Sequence, residues 1–356
     1  LAGEERSVSR LVIGNTAQNL IRVFFLQEQL KSQGDKSLIS PKRVHVIGAG
    51  VMGGDIAAWC ALQGFTVTVQ DRQEASLARV LKNAHKLYSK KLKLPRLVQV
   101  AMDRLVPDMN GLGLAHADVV IEAIFEDIQA KQDLFKAIEP QMKPDAILAT
   151  NTSSIQLETL SEALNTPSRL VGIHFFNPVA MMQLVEIVRA PNTDADAVAK
   201  AAAFTRHISR LPLPVQSHPG FLVNRVLMPY LMEAVTLASE GISPAVVDKA
   251  ALDFGMPMGP IALADTVGLD ICLSVAKILG EHLGLEAPHR LQELVDQGHL
   301  GKKSGQGFYQ YQKGKPIQAK AGKSDYAPAD IQDRMILRMI NECVACLREG
   351  IVDNAE

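Results

Sequence analysis

Residues 46–53 read Val46-Ile47-Gly48-Ala49-Gly50-Val51-Met52-Gly53, a glycine-rich turn between a short apolar segment and an apolar helical pattern. In a dinucleotide-binding turn the first glycine permits a tight bend, the second lets the backbone approach a pyrophosphate, and the third lets the helix pack on the strand. The spacing alone is weak evidence, because glycines also mark ordinary turns. The strand before Gly48 and the helix from Val51 favour a nucleotide site over a nucleotide-free turn.

A carboxylate follows at the distance that such a site requires. Asp71 ends the next predicted strand, about 20 residues after the glycines, where an acidic side chain binds the adenine-ribose hydroxyls. Its charge would repel the 2′-phosphate of NADP, which Arg72 would only partly offset, so we expect NAD as the cofactor. The N–H groups of Val51 and Met52, at the helix N-terminus, are expected to face the phosphates.

From residue 42, apolar strand patterns alternate with helical patterns. The predicted strands span 44–47, 65–69, 118–122, 146–149, 170–175, 183–188 and 213–216, and the predicted helices span 51–62, 75–92 and 128–142. Continuous apolar strands separated by helices are typical of a parallel sheet covered on both faces. After Pro219 long helical patterns replace the strands. The predicted fold class is therefore an α/β Rossmann-type doubly wound sheet followed by an all-α domain.

Composition shifts and a repeat divide the chain further. Six positions between Arg225 and Ile242 recur 109 positions later, between Arg334 and Ile351, which indicates a repeated helical domain rather than chance similarity. The predicted segments are a connector helix at 1–41, an NAD-binding Rossmann domain at 42–218, a helical C-terminal domain at 219–312, a polar linker at 313–327, and a truncated second helical repeat at 328–356.

The composition is that of an ordinary globular protein, with 356 residues, 47% of them hydrophobic, and a formal net charge of −1. The charge gives no indication of nucleic-acid binding, and no apolar run reaches the roughly 20 residues of a membrane span. Because the chain begins at Leu1 without a leader pattern, we expect a processed or partial chain. Four scattered cysteines are too few for a disulfide framework and fit a reducing compartment. The predicted location is the bacterial cytoplasm, or a peroxisome or mitochondrion in a eukaryote.

No metal site is predicted. Cys343 and Cys346 have the CxxC spacing, but no second cysteine or histidine pair accompanies them. Their helical pattern favours a core-facing helix over redox or metal chemistry.

The segment from Gly172 to Pro178 places His174 near the end of a predicted apolar strand, and Glu186 lies on the next strand. Histidine has an ordinary pKa of about 6.5, which suits proton exchange near neutral pH. A carboxylate would hold one ring nitrogen protonated and stabilise the imidazolium. We therefore predict a general base, and a satisfied core histidine is the alternative. Ser153 would offer a hydroxyl at the same sheet edge, and Asn224 would close over the site.

Further charged residues lie where ligands bind in such sheets. Glu126, Lys131 and Ser153 follow the carboxyl ends of later strands and are candidate cofactor contacts, although Glu126 and Lys131 also fit solvated charges at a helix start. Lys86 and Lys90 belong to a basic helix face without acids. That face is either solvated or a clamp for the phosphates of a carrier substrate such as coenzyme A.

With these features the chain resembles the 3-hydroxyacyl-CoA dehydrogenase family over about residues 42 to 311. The resemblance is carried, in the family's order, by the glycine-rich turn and by Asn151-Thr-Ser-Ser154, His174-Phe-Phe-Asn-Pro178, Pro219-Gly-Phe-Leu-Val-Asn-Arg225, Met256-Pro-Met-Gly-Pro260 and Gly301-Lys-Lys-Ser-Gly-Gln-Gly-Phe-Tyr309. Six ordered motifs are far more specific than one.

The resemblance implies NAD-dependent oxidation of an (S)-3-hydroxyacyl-CoA to the 3-oxoacyl-CoA. It implies His174 as the base, Glu186 as its partner, and Ser153 and Asn224 as groups that bind the substrate oxygen. Asn177 and Lys303 would lie near the nicotinamide. The alternatives are a related β-hydroxyacid dehydrogenase with a lysine-centred site, and an NAD-binding scaffold without turnover.

The leading helix, the linker and the repeat further resemble the dehydrogenase half of a multifunctional fatty-acid oxidation protein. That resemblance implies a preceding enoyl-CoA hydratase domain and association with a thiolase. Because single-domain relatives replace the second helical domain by dimerising, a chain with a truncated repeat is expected either to dimerise or to expose apolar surface.

Overall fold

The computed structural model describes residues 2–284, 286–317 and 326–355. The chain divides into two compact units between Ser217 and His218. The five-segment division given above stays a prediction, and residues 318–325 of the predicted linker lie outside the described residues. None of the described helices is both long and apolar enough to cross a membrane.

The first unit consists of helices around one large sheet. Its helices are α1 (Ala2–Val12), α2 (Asn15–Ser32), α3 (Val51–Leu62), α4 (Glu74–Leu92), α5 (Pro95–Met102), α6 (Ile128–Ile138), α7 (Leu157–Ser161) and α8 (Ala195–His207). Its strands are β1 (Arg43–Ile47), β2 (Thr66–Gln70), β3 (Leu105–Asp108), β4 (Val119–Glu122), β5 (Ile147–Thr150), β6 (Leu170–Phe175), β7 (Leu184–Arg189) and β8 (Leu211–Gln216).

The strand order is β3-β2-β1-β4-β5-β6-β7-β8, and the first six strands have the order of a doubly wound dinucleotide-binding sheet. The predicted Rossmann-type fold is therefore confirmed. The sheet differs from the expected all-parallel one because β7 runs antiparallel to β6, and β8 runs parallel to β7. Only residues 176–183 join β6 to β7, and a parallel crossover needs a connection of about a dozen residues or more.

The sheet is buried because its strands are apolar on both faces. Every residue of β4, β5 and β6 is buried. Helix α3 is apolar apart from Asp55, and its residues from Ile56 to Ala61 are buried in this core. Helix α4 buries only one stripe, which consists of Leu77, Val80, Ala84 and Tyr88 at helical spacing, with Ser76 beside it. The strand before the turn, β1, and the helix after it, α3, are both packed in this core, so the position of the turn between them is fixed.

The N-terminal helices are less buried than this core. Two helices, α1 and α2, lie in the segment 1–41, where a single connector helix was predicted. Helix α2 contains no buried residue, and Leu20, Val23 and Phe24 on its apolar side are exposed. A helical turn at Lys36–Leu38 then leads into β1.

In the residues that the structure describes, the second unit consists of helices and one short hairpin. Its elements are α9 (Val223–Ser239), α10 (Pro244–Phe254), α11 (Pro260–Val267), α12 (Leu269–Leu283), α13 (His289–Asp296), β9 (Tyr311–Gln312), β10 (Lys315–Pro316) and α14 (Pro328–Arg348). Its own apolar core is built mainly from α9 to α14. The helical character predicted after Pro219 is confirmed, and the hairpin β9–β10 is an addition.

Helices α9 and α14 carry the two copies of the repeat and lie antiparallel. Arg225, near the start of α9, binds Glu342 and Glu349 near the end of α14. Arg334, near the start of α14, binds Glu233 and Glu240 near the end of α9. The repeated residues therefore form reciprocal ion pairs, each copy supplying the partners of the other.

Candidate active site

The glycine-rich turn has the geometry that its sequence requires. Gly48 has φ +104°, and a Cβ there would lie 2.5 Å from the carbonyl oxygen of Ala123. A Cβ on Gly53 would lie 1.9 Å from the carbonyl oxygen of Gly48. Around Gly50, by contrast, an added Cβ would meet nothing within 4 Å. Gly48 and Gly53 therefore shape the turn, whereas Gly50 leaves open space in front of it.

The start of α3 offers N–H groups to that space. Gly50 is the N-cap residue and has no side chain to cap the helix. Val51 is largely exposed and Met52 is half-buried. Helix N-termini bind anions through such N–H groups and through the helix dipole. The residues present therefore fit the pyrophosphate of a dinucleotide.

Asp71 stands beside the same turn. Its Oδ2 accepts a hydrogen bond of 2.8 Å from the N–H of Ala49, and its Oδ1 accepts one of 2.9 Å from the N–H of Gln73. A carboxylate has about four acceptor positions, so these bonds leave capacity for ribose hydroxyls. The structure thus brings Asp71 and the glycine-rich turn together.

The predicted contacts at the ends of β4 and β5 form one network. Glu126 accepts hydrogen bonds from the hydroxyl of Thr152 (2.6 Å) and from the N–H of Ser153 (2.8 Å). The ammonium of Lys131 lies 3.2 Å from Glu126 and 2.6 Å from Glu122. Burial raises the pKa of Glu126, but Lys131 and the hydrogen bonds from Thr152 and Ser153 outweigh it and lower the pKa overall.

Lys131 is only 1% exposed, so the alternative of a solvated charge does not hold for it. Its buried partner Glu122 also accepts bonds from the hydroxyl of Thr150 and from the N–H of Ile124. Glu122 was not predicted as a site residue, because a glutamate at the end of an apolar strand resembles a solvated charge. The available signal was Lys131 nine positions later, on the helix that follows the same strand.

His174 and Glu186 are directly opposite each other on β6 and β7. His174 Nδ1 lies 2.7 Å from Glu186 Oε2, and both side chains are buried. Because an ionised carboxylate only accepts hydrogen bonds, this contact requires the proton on Nδ1 and makes Nε2 the basic nitrogen. The predicted histidine–carboxylate contact is therefore present.

Contacts of the residues beside His174 hold strand β6 in position. A Cβ on Gly172 would lie 2.6 Å from the Cβ of Val188, so a glycine allows β6 and β7 to approach. Asn151 Oδ1 accepts a hydrogen bond of 2.9 Å from the N–H of Phe175. The segment that begins at Asn151 and contains Ser153 is thereby joined to the end of β6. Asn177 follows in the connection to β7, and its bond to Pro178 is cis.

The remaining predicted site residues lie on other elements. Asn224 is in the first turn of α9, in the second unit. Lys303 forms an ion pair with Asp270 through nitrogen–oxygen distances of 2.5 and 2.6 Å. Lys86 and Lys90 are exposed on α4, next to the buried Tyr88. The proposed roles of these four residues stay predictions.

Two buried aspartates explain part of the second-unit motifs that carry the family resemblance. Asp265 accepts hydrogen bonds from the N–H groups of Phe308 and Tyr309, and a Cβ on Gly307 would lie 2.0 Å from it. Asp248 similarly binds the N–H of Ile261. Burial raises the pKa of both aspartates, although the hydrogen bonds oppose this shift. Gly307, Phe308 and Tyr309 therefore hold the second unit together through Asp265.

Three side chains of the second unit are close enough together to bind a metal ion: His218, His282 and Glu349 have ligand atoms within 4.8 Å of one another. The guanidinium of Arg225, however, binds both His218 Nδ1 (3.2 Å) and Glu349 (3.0 Å). A permanent positive charge at this distance opposes a cation, so the cluster is better explained as an ion-pair network.

The chain matches two family models. Residues 43–218 match the model described as 3-hydroxyacyl-CoA dehydrogenase, NAD binding domain, and residues 220–311 match the model described as 3-hydroxyacyl-CoA dehydrogenase, C-terminal domain. Among curated relatives, the fatty acid oxidation complex subunit alpha of Shewanella loihica is 34% identical over 98% of this chain and 52% of the relative. The chain thus spans about half the length of such relatives.

The chain is also similar to solved structures of dehydrogenases that act on 3-hydroxybutyryl-CoA. A 3-hydroxybutyryl-CoA dehydrogenase from Escherichia coli is 34% identical, with a TM-score of 0.74 over 82% of this chain and 63% of that one. The (S)-3-hydroxybutyryl-CoA dehydrogenase of Ralstonia eutropha is also 34% identical, with a TM-score of 0.72 over 77% of this chain and 100% of that one.

Proposed function

The chain belongs to the 3-hydroxyacyl-CoA dehydrogenase family, and from that premise we propose that it oxidises an (S)-3-hydroxyacyl-CoA to the 3-oxoacyl-CoA with NAD. The observation that carries the proposal is the buried contact of 2.7 Å between His174 and Glu186. It supplies a base for the hydroxyl proton in a unit that also contains a dinucleotide-binding turn.

In this proposal, His174 Nε2 removes the proton of the substrate's 3-hydroxyl group. Bound NAD would supply the acceptor for the hydride that leaves carbon 3 of the substrate. Glu186 keeps the proton on Nδ1 and stabilises the imidazolium through a charge-assisted hydrogen bond. Ser153 and Asn224 bind the substrate oxygen and orient it toward His174.

The cofactor would be held mainly by backbone. Gly48, Gly50 and Gly53 let the turn approach the pyrophosphate, and the N–H groups of Val51 and Met52 bind it. Asp71 binds the adenine ribose. Family membership supports NAD(H) as the cofactor, and the carboxylate at residue 71 favours NAD over NADP.

Other charged residues would act around the nicotinamide and the substrate. Glu126 and Lys131 position Ser153 through the network described above. Asn177 and Lys303 would lie near the nicotinamide. Lys86 and Lys90, which are exposed and cationic, would bind phosphates of the acyl-CoA.

The intact histidine–glutamate pair argues against the two alternatives. A non-catalytic NAD-binding scaffold has no need to keep a buried imidazole paired with a buried carboxylate. A β-hydroxyacid dehydrogenase would use a lysine-centred site, and here the buried Lys131 is already paired with Glu122.

The test is to replace the base. In His174→Gln, NADH formation from 3-hydroxybutyryl-CoA should fall by about 10²- to 10⁴-fold, the usual contribution of a general base, while NAD binding persists. His116→Gln, which changes an exposed histidine of the same unit, is the matched control and should keep full activity. Near-normal turnover in His174→Gln would contradict the proposal.

We further propose that this chain works as the dehydrogenase part of a larger fatty-acid oxidation protein. The support is that the curated relatives are about twice as long and are named as subunits of a complex. An enoyl-CoA hydratase domain in the same polypeptide and association with a thiolase are the proposed partners. Mass measurement of the native complex from its source cells would test both.

A further inference from the structure

A cavity of about 350 Å³ in the first unit is lined by several positive charges and by no residue of the glycine-rich turn. Four cations line it, together with polar residues: Lys31, Lys36, Arg206, Arg210, Gln183 and Ser209. They come from the end of α2, the helical turn at Lys36–Leu38, the end of α8 and the two loops that lead into β7 and β8. The proposed dehydrogenase mechanism uses none of them.

Close contacts fix the walls of this cavity. His207 Nε2 donates to the carbonyl oxygens of Lys36 (3.1 Å) and Ile39 (3.0 Å), which attaches the helical turn to the end of α8. A Cβ on Gly34 would lie 2.5 Å from the carbonyl oxygen of Ala202, so only glycine allows this approach. The cations are therefore carried on a preformed backbone, as in most small-ligand sites.

Arg210 is the buried member of the group, with 5% of its surface exposed. Its guanidinium lies 3.6 Å from the centre of the Trp59 ring and donates to the carbonyl oxygens of Ser209 (3.1 Å) and Val179 (2.7 Å). Its buried Nε has no hydrogen-bond partner. All of these partners are neutral, and within the described part of the chain no carboxylate pairs with this buried positive charge.

Burial lowers the pKa of Arg210 to about 10, because removal from water disfavours the charged form. A buried charge without an opposite charge is costly, and an anion in the cavity would offset that cost. Among the residues that the structure describes, neither Lys36 nor Arg206 forms an ion pair either.

The ordinary explanation of such cations is that they neutralise helix C-termini. It applies to Lys31 and Arg206, which lie in the last turns of α2 and α8, and Lys31 also pairs with Glu28. Each helix end carries only about half a negative charge. Four cations against one carboxylate and two helix ends leave roughly two positive charges, which matches a dianion.

We propose that this cavity is a binding site for a phosphate monoester, held by Lys36, Arg206 and Arg210. A phosphate monoester carries about −1.5 to −2 charges at neutral pH, and arginine binds it through paired hydrogen bonds. The cavity has room for the phosphate and part of the group that it esterifies. This site would exist whether or not the chain is a dehydrogenase.

The test is calorimetric binding of inorganic phosphate, coenzyme A and 3′-dephospho-coenzyme A to the full chain. Lys36→Gln with Arg206→Gln removes two side chains that are not buried, so the fold should persist. Lys136→Gln with Lys249→Gln removes the same charge elsewhere on the exposed surface and is the matched control. We expect phosphate affinity to fall about tenfold or more in the first pair and to stay within about twofold in the control.

The three probes distinguish the source of the phosphate. If coenzyme A loses affinity in Lys36→Gln/Arg206→Gln but its dephospho form does not, the site takes the 3′-phosphate. If only inorganic phosphate responds, the site takes a different phosphate. Equal binding in both double variants would overturn the proposal, because the ion would then sit elsewhere, for example at the N-terminus of α3. Binding is measured without turnover, so an inactive dehydrogenase would not affect this result.

Discussion

Two buried histidines in the first unit show how partners decide the role of a residue. The Nδ1 atom of His174 contacts the carboxylate of Glu186, a charged partner. His45 faces the hydroxyl of Thr68 (2.7 Å from Nδ1) and the amide oxygen of Gln70 (2.9 Å from Nε2). Both partners are neutral, and together they satisfy a neutral imidazole with its proton on Nε2. We therefore read His45 as structural.

His45 leads to a prediction on pH. Burial lowers its pKa, which the bond to Gln70 only partly offsets, so the unfolded chain binds a proton more readily than the native chain. Stability linked to His45 is therefore fully present above about pH 6.5 and is lost as the pH falls through the lowered native pKa. In His45→Gln, the free energy of unfolding should depend less on pH below 6.5. Urea titrations at several pH values measure this, and an unchanged slope would refute it.

The glycine-rich turn leads to a second prediction at single residues. Gly50→Ala should leave the free energy of unfolding within about 0.5 kcal/mol, because the new methyl group meets nothing within 4 Å, yet it should weaken NAD binding. Gly53→Ala should cost about 1–3 kcal/mol of stability, because its Cβ would lie 1.9 Å from the oxygen of Gly48. Urea unfolding and NAD titration of both variants separate the effects. Equal losses of stability would show that Gly50 does not face open space.

For single residues, the sequence predicted those contacts whose partners lie near each other in the chain and belong to one motif. The glycines and Asp71 follow one strand–turn–helix unit, whose geometry is standard. The contact between His174 and Glu186 depended on strand direction, which was expected to be parallel. In a parallel pair, His174 near the end of β6 would not face the middle of β7; the antiparallel hairpin places Glu186 opposite it.

Among the elements, α9 and α14 allow a direct comparison of buried and exposed ion pairs. Each copy of the repeat has an arginine paired with two glutamates, but the two arginines differ in solvent exposure. The side chain of Arg225 is 2% exposed, whereas that of Arg334 is 34% exposed. Removal of the acidic partners of Arg225 would therefore leave a buried charge unpaired. Removal of the partners of Arg334 would leave a charge that water can solvate.

We accordingly expect Glu342→Ala/Glu349→Ala to destabilise the helix pair by about 3 kcal/mol or more. The equivalent double variant, Glu233→Ala/Glu240→Ala, should cost about 1 kcal/mol or less. Both variants change the same residue type at equivalent helix positions. Hydrogen exchange of peptides from α9 and α14 reports the local opening free energies. Equal effects in the two variants would mean that burial of Arg225 does not set the strength of its pairs.

Two elements that were not predicted, α8 and β3, were hidden by identifiable features of their sequences. Helix α8 is rich in alanine and begins after Asp194, whose side chain caps it, but its apolar stripe is weak. A parallel pair β7–β8 nevertheless needs a crossover, and that requirement would have located it. Strand β3 is a short edge strand with Pro107 inside it, a residue that usually argues against a strand.

On the scale of the whole molecule, the two units have separate apolar cores. The boundary at residue 218 was predicted because strand patterns end there. Whether the units unfold separately depends on contacts that no sequence pattern reports. The chain provides a probe for this question, because Trp59 is its sole tryptophan and is buried in the core of the first unit.

We predict that urea unfolding followed by Trp59 fluorescence and by far-ultraviolet circular dichroism will not coincide. Fluorescence reports the first unit, whereas circular dichroism also reports the helices of the second, and non-coincident transitions indicate more than two states. NAD at about 100 times its Kd should stabilise the first unit by about 2.7 kcal/mol and move the fluorescence transition to higher urea. The part of the circular dichroism transition that belongs to the second unit should not move. If both signals shift together, the two cores unfold as one, and binding at the glycine-rich turn then stabilises the entire chain.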